Sequence, residues 1–156
     1  MRLGFFHAEA GHTAEARAWY AKALAIAPQS IRAHFNLGDL ELFENRPEAA
    51  LAAYRQTEDQ AFSIIGQAKA EYSLGHAEAS RRILEELLAK YSSTGPYPIA
   101  TVYAWRGEQD KSFEWLERGY AQRDPGMTWL KIDRNFSGLR NDARYKSLMR
   151  RMHLPE

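Results

Sequence analysis

The sequence of 156 residues contains no cysteine. That excludes disulfides, thiolate zinc sites and a cysteine nucleophile, and it fits a cytosolic protein. No apolar run approaches the roughly 20 residues that span a bilayer. The opening "MRLGFFHAEAGH" lacks the apolar stretch of about 7–15 residues that a signal peptide needs, so a cytoplasmic location is expected. Neither sign of charge dominates: 21 Lys and Arg face 20 Asp and Glu, a net charge of +1. A dedicated nucleic-acid binder is usually strongly basic, so none of that class is expected. The ten glycines are scattered, with no G-x-x-x-x-G-K-[ST] or G-x-G-x-x-G loop to cradle a phosphate. The five histidines, His7, His12, His34, His76 and His153, offer no pair at metal-ligand spacing. Strand-type alternation appears over no useful length.

Acid pairs are present, but not in a catalytic pattern. Glu41/Glu44, Glu85-Glu86 and Glu114/Glu117 lie on segments rich in Arg and Lys. Catalytic carboxylates converge across a cleft. These read as solvated helix faces with i,i+4 pairing, such as Glu114 with Arg118. No catalytic residue, cofactor site or metal site is expected, and the chain is not read as an enzyme.

What the sequence does have is apolar content of 45%, enough for a core, and internal repetition. "GHTAEARAWYAKALAIAP" (11–28) aligns with "NRPEAALAAYRQTEDQAF" (45–62) at an offset of 34, which also separates Gly4 from Gly38. "LGHAEASRRILEELLAKY" (74–91) and "RGEQDKSFEWLERGY" (106–120) repeat the theme. Apolar residues recur at helical spacing: Ala16, Tyr20, Ala23 and Leu24, for example, or Ala61, Ile64, Ile65, Ala68 and Tyr72. The pattern predicts four helix–turn–helix units, at about 1–28, 30–58, 60–91 and 96–122, then a closing segment over 123–156, all within one domain. Gly4, Gly38, Ala68 and Ala100 are the expected small contact residues of each first helix. Ala16, Ala50, Ala79 and Ser112 are those of each second helix, and the third copy reads one residue short between Gly75 and Ala79. Pro28 ends one unit, and Pro96 and Pro98 fit only a first helical turn.

Leu3-Gly4, Gly11, Ala16, Tyr20, Ala23 and Pro28, with Leu37-Gly38, Ala50 and Tyr54, resemble the tetratricopeptide repeat family. The last 60 residues resemble the closing segment of bacterial multi-domain members. The matching residues there are Phe113-Glu114-Trp115-Leu116-Glu117-Arg118, Leu130-Lys131-Ile132-Asp133, Leu139-Arg140-Asn141-Asp142 and Leu154-Pro155. The resemblance implies an all-α solenoid of helix pairs in a right-handed superhelix, closed by a capping helix. In that helix Tyr145, Leu148 and Met152 form an apolar stripe, Asp142 is a candidate N-cap, and Arg144, Lys146, Arg150 and Arg151 face out. From Lys131 to Glu156 seven basic residues meet three acidic ones. That coat is read as a solvated cap rather than a nucleic-acid surface.

The resemblance also implies a function: a non-catalytic scaffold or adaptor that holds a peptide or partner segment in a concave groove lined by the first helices. By register, the groove residues are Phe5, Glu9, Arg32, Phe35, Asn36, Asp39, Phe43, Ile65, Lys69, Tyr72, Tyr97, Thr101 and Trp105. Aromatics and Arg are the residues that anchor interfaces. In the relatives that clamp a chaperone's C-terminal carboxylate, Lys, Arg and Asn occupy set groove positions. Asn36 matches one, but Met1 and Phe5 do not match the others, so that ligand is not expected. The first helix starts at its Leu-Gly contact, leaving Leu3, Phe5 and Phe6 near an uncapped edge. Two further readings follow: the C-terminal regulatory module of a longer signalling protein, with a cyclase, transcriptional-regulator or kinase domain upstream, or a homo-oligomer that buries this edge on itself. A genuine short start with a frayed first helix is the remaining possibility.

Overall fold

The computed structural model describes residues 2–154. Met1 and the proline of the closing Leu-Pro step lie outside that range. Among the described residues there is no strand. The helices are α1 (Arg2–Glu9), α2 (Thr13–Ile26), α3 (Ile31–Phe43), α4 (Pro47–Arg55), α5 (Gln60–Ser73), α6 (Ala77–Tyr91), α7 (Pro96–Trp105), α8 (Gln109–Ala121) and α9 (Ala143–Arg151). Two 3₁₀ helices, Pro125–Trp129 and Arg134–Leu139, stand between α8 and α9. The chain divides into two compact units, residues 1–87 and 88–156, with the division inside α6.

Each helix pair turns the same way. Six described residues have positive φ: Gly11, Asn45, Gly75, Gly107, Arg123 and His153. Each follows a helix C-terminus and sits in the same pair of hydrogen bonds. At the first turn the Gly11 amide donates to the Ala8 carbonyl and the His12 amide to that of His7. The same two bonds recur as Asn45 to Leu42 with Arg46 to Glu41, and as Gly75 to Tyr72 with His76 to Glu71. They recur again as Gly107 to Ala104 with Glu108 to Tyr103. This is the Schellman arrangement, in which a left-handed residue folds the chain back over carbonyls the helix leaves unpaired. A Cβ at Gly11 or Gly75 would meet nothing within 4 Å, so it is the backbone conformation, at φ +82° and +81°, that favours glycine there.

Five residues after each of the first four of these turns comes a fully buried small side chain: Ala16, Ala50, Ser80 and Ser112. Twelve residues before each of those stands its partner, Gly4, Gly38, Ala68 or Ala100. The third pair therefore corrects the sequence reading. Ser80, not Ala79, makes the contact, and the copy is not one residue short. The serine fits because its hydroxyl has an acceptor in the opposite helix: Ser80 Oγ donates to the Ala68 carbonyl at 2.7 Å. Ser112 Oγ does the same to Ala100 at 3.0 Å. Buried hydroxyls are tolerated when they are bonded in this way.

One turn beyond the small residue, a large side chain fills the space between helices: Tyr20, Tyr54, Leu84 and Leu116, each no more than 5% exposed. In the first unit the tyrosine rings press on glycines. A Cβ on Gly4 would approach the Tyr20 ring to 2.8 Å, and one on Gly38 would approach Tyr54 to 2.4 Å.

In the second unit, Leu130, Phe136, Leu139, Tyr145 and Leu148 are buried together with α7 and α8 residues. Asp142 caps α9 as expected, accepting from the Arg144 amide at 2.8 Å. The Leu-Lys-Ile-Asp step has a defined role. Leu130 is buried, and its carbonyl accepts from the Tyr145 hydroxyl at 2.9 Å. Asp133 takes the Tyr97 hydroxyl at 2.8 Å and caps the second 3₁₀ helix through the Asn135 amide at 2.8 Å.

Candidate functional site

In the first unit α1, α2 and α3 border a shallow, open cleft. Its walls are Phe5, Ala8 and Glu9 from α1, Tyr20 from α2, and Asn36, Asp39, Leu40 and Phe43 from α3. Five of the residues expected from register, Phe5, Glu9, Asn36, Asp39 and Phe43, meet here. Helix spacing is the reason: Asp39 and Leu40 each lie three or four residues from both Asn36 and Phe43, so the four share one face. Ala8, Tyr20 and Leu40 form the floor, continuous with a small apolar core that includes Ala16.

Two carboxylates line this cleft, and its walls carry no cationic side chain. Asp39 is held from behind. Its Oδ1 accepts both the Tyr54 hydroxyl at 2.6 Å and the Lys69 ammonium at 2.5 Å. Lys69 is 1% exposed. The Tyr20 phenol is pushed well above its ordinary range, first by burial and then by the negative charges of Asp39 and Glu9. Tyr54 is raised too, by burial first and then by Asp39.

The other expected groove residues are distributed differently. Arg32 and Tyr72 are exposed. Phe35 is half-buried, edge-on to Phe62 at 4.9 Å between ring centroids and tilted against Tyr54 at 5.6 Å. Ile65 is buried. Lys69 is not a groove cation: it is enclosed, bonded to Asp39, with its ammonium 5.5 Å from the Phe35 ring centroid. In the second unit Tyr97 and Thr101 are buried. Tyr97 points at Asp133, and Thr101 bonds back to the Pro98 carbonyl at 2.7 Å. Both therefore belong to the interior, while Trp105 is half-buried. These three were placed by helical register alone, which cannot register that the two 3₁₀ helices pack over the start of α7.

Charged groups outside the cleft have structural partners. Glu41 is not a solvated acid. It is buried and takes hydrogen bonds from Arg17 of α2 and from Arg46 just before α4, the latter at 2.6 Å. Both guanidinium groups also bond Glu44. Burial alone would raise the Glu41 carboxyl, but Arg17 and Arg46 outweigh it and hold the group below its usual range. The pairing expected between Glu114 and Arg118 is replaced. Glu114 bonds Lys111 at 3.1 Å, and the Arg118 guanidinium lies 4.3 Å from the Trp115 ring centroid.

Nor do all the basic groups of α9 face out. Arg144 reaches Asp110 at 2.7 Å and lies over Phe113, and Arg151 reaches Glu117 at 2.5 Å and lies over Tyr120. Two arginines thus fasten α9 to α8. Among the histidines, His34 bonds the Pro28 carbonyl and His76 bonds Glu71. Among the described residues, no group of three or more His, Cys, Asp or Glu is arranged to hold a metal ion, and no helix is long and apolar enough to cross a membrane.

Comparison with known proteins agrees with this geometry. Residues 1–30 match the family described as tetratricopeptide repeat. The crystal structure of MamA, itself a tetratricopeptide-repeat protein, superposes with a TM-score of 0.52 at 20% identity, covering 96% of this chain and 92% of that one. No curated protein matches the sequence.

Proposed function

We propose that this chain, whose residues 1–30 match the tetratricopeptide repeat family and whose fold is similar to that of MamA, is a non-catalytic scaffold whose α1–α3 cleft holds a segment of a partner protein. One observation carries the reading. Phe5, Glu9, Asn36, Asp39 and Phe43, chosen by sequence register, line the same cleft. Phe5 and Phe43 supply apolar walls, and Asn36 supplies an amide able to bond a peptide backbone. The helix pairs that carry these groups are held by buried contacts, so little of the cleft must order on binding.

The test is a peptide library displayed on phage and selected on the purified chain, with each selected peptide mapped by amide shifts. Shifts centred on Phe5, Asn36 and Phe43 support the reading. Shifts confined to the exposed face of α6, around Glu85 and Glu86, overturn it.

A second reading is self-association through α1. It rests on Leu3 and Phe6, which lie three residues apart and are 55% and 48% exposed. Sedimentation of the wild type against a Leu3→Ser/Phe6→Ser variant separates the two. A monomer at every concentration removes self-association.

A further inference from the structure

We propose that the closing segment of the second unit docks an acidic stretch of a partner protein, with Lys131, Arg140 and Lys146 around Tyr145 as its cationic contacts. This surface shares no residue with the α1–α3 cleft, so the two readings stand or fall separately. The charge balance gives the first reason. Residues 88–156 hold twelve Lys and Arg against eight Asp and Glu, a net +4, whereas residues 1–87 hold nine against twelve, a net −3. The second reason is where the acids of the second unit go. Each of the seven among the described residues is engaged within the unit. Asp110 and Glu117 take Arg144 and Arg151, and Glu108 and Glu114 take Arg106 and Lys111. Asp124, Asp133 and Asp142 each cap a helix.

The third reason is that cations gather at one place. The Tyr145 hydroxyl donates to the Leu130 carbonyl at 2.9 Å, which brings the backbone of Lys131 beside the phenol. Arg140 reaches the same group: burial pushes the phenol up, and the nearby Arg140 guanidinium pulls it part of the way back. Lys146 follows Tyr145 on α9. Lys131, Arg140 and Lys146 are exposed, and none of them is in an ion pair among the described residues.

An exposed ion pair is weak by itself, so the fitting ligand is a stretch that offers several carboxylates at once. Opposite potentials then steer the encounter and suppress wrong partners. A nucleic acid fits less well. Its long run of phosphates meets a whole chain whose net charge is only +1.

The experiment uses the full chain and three probes: a blocked octapeptide of alternating Glu and Ser, its counterpart with Gln for Glu, and a short oligothymidylate. Binding is read by amide shifts and by titration. The expected result is that the Glu peptide shifts Lys131, Arg140, Tyr145 and Lys146 and binds about tenfold tighter than the Gln peptide, with the preference shrinking as salt rises. A Lys131→Glu/Arg140→Glu/Lys146→Glu variant should lose that preference. Lys22→Glu, a charge reversal in the first unit, should keep most of it. Thermal melting checks folding, and the milder Lys131→Gln/Lys146→Gln, which leaves Arg140 on Tyr145, should lose part of the preference.

Equal binding of the Glu and Gln peptides, or shifts centred outside the closing segment, overturns the proposal and leaves the α1–α3 cleft untouched. An equal loss in Lys22→Glu and the triple variant overturns it as well, because net charge and not this surface would then be at work. Tighter binding of the oligothymidylate than of the Glu peptide overturns the assignment to a protein. Shifts on the closing segment that grow with protein concentration, without any probe, make the occupant a second copy of this chain and overturn the assignment to a foreign partner.

Discussion

A Cβ built on Gly66 of α5 would stand 2.1 Å from Cδ1 of Tyr54 in α4. Tyr54 is fully buried, and a Cβ on Gly38 of α3 would meet the same ring at 2.4 Å. The ring is clasped between two helices by residues that have no side chain. Gly66→Ala should therefore destabilise the protein by about 1–3 kcal/mol through overpacking, even though alanine favours a helix interior by roughly 0.5–1 kcal/mol. Urea melting measures the balance. A variant more stable than wild type would mean that the ring has room to move.

The register of the third helix pair is open to a direct check. Ser80→Ala should cost about 0.5–1.5 kcal/mol, the net worth of one buried hydrogen bond. Ser80→Leu should cost about 1–3 kcal/mol by overpacking, and Ala79→Leu clearly less, because Ala79 is only partly buried. The reverse order would restore Ala79 as the contact residue.

The acids that join α2, α3 and α4 make stability depend on pH. Both Glu41 and Glu44 have lowered folded-state values. At Glu41 the arginine bonds overcome burial, and at Glu44 the first cause is a hydrogen bond from Thr13. A carboxylate with a lowered folded value binds fewer protons folded than unfolded at the same pH. Its contribution is thus complete above its unfolded value, near 4.5, and is lost as pH falls through the folded one. Melting temperature should fall as pH drops below about 4.5, and Glu41→Gln should lower it at pH 7 while flattening the acid limb. Parallel curves for the two proteins would remove Glu41 as a cause.

In the second unit, Asp133→Ala should cost about 1–3 kcal/mol for the buried hydrogen bond that the Tyr97 hydroxyl loses. The lost cap over Asn135 would add about 0.5–2 kcal/mol. Tyr97→Phe should be milder, since Asp133 keeps its bonds to Asn135. Chemical denaturation of both variants decides it. Equal losses would mean the cap contributes nothing.

Much of the fold was legible because the helix pairs obey fixed intervals. Gly4 to Gly11, Gly38 to Asn45, Ala68 to Gly75 and Ala100 to Gly107 are each seven residues. The slip at Ala79 came from seeking alanine where serine serves equally, once its hydroxyl finds Ala68. Five of the eight residues that line the cleft were legible too: Phe5 and Glu9 on α1, and Asn36, Asp39 and Phe43 on one face of α3. Lys69 was not, because a register assigns a face and cannot see a long side chain turning inward to a carboxylate 30 positions earlier. Nor was the Arg17–Glu41 bond, which links residues 24 apart.

The six left-handed turns also say where this chain can change length. Inside each helix pair the turn admits one geometry, and an inserted residue would break two hydrogen bonds and rotate the second helix off its small-residue contact. Between pairs the chain already varies. From Ala16 to Gly38 there are 22 steps, from Ala50 to Ala68 there are 18, and from Ser80 to Ala100 there are 20. Tags, protease sites or new loops therefore have natural addresses at Pro28-Gln29, Glu58 and Ser93-Thr94, and none at Gly11, Asn45, Gly75 or Gly107.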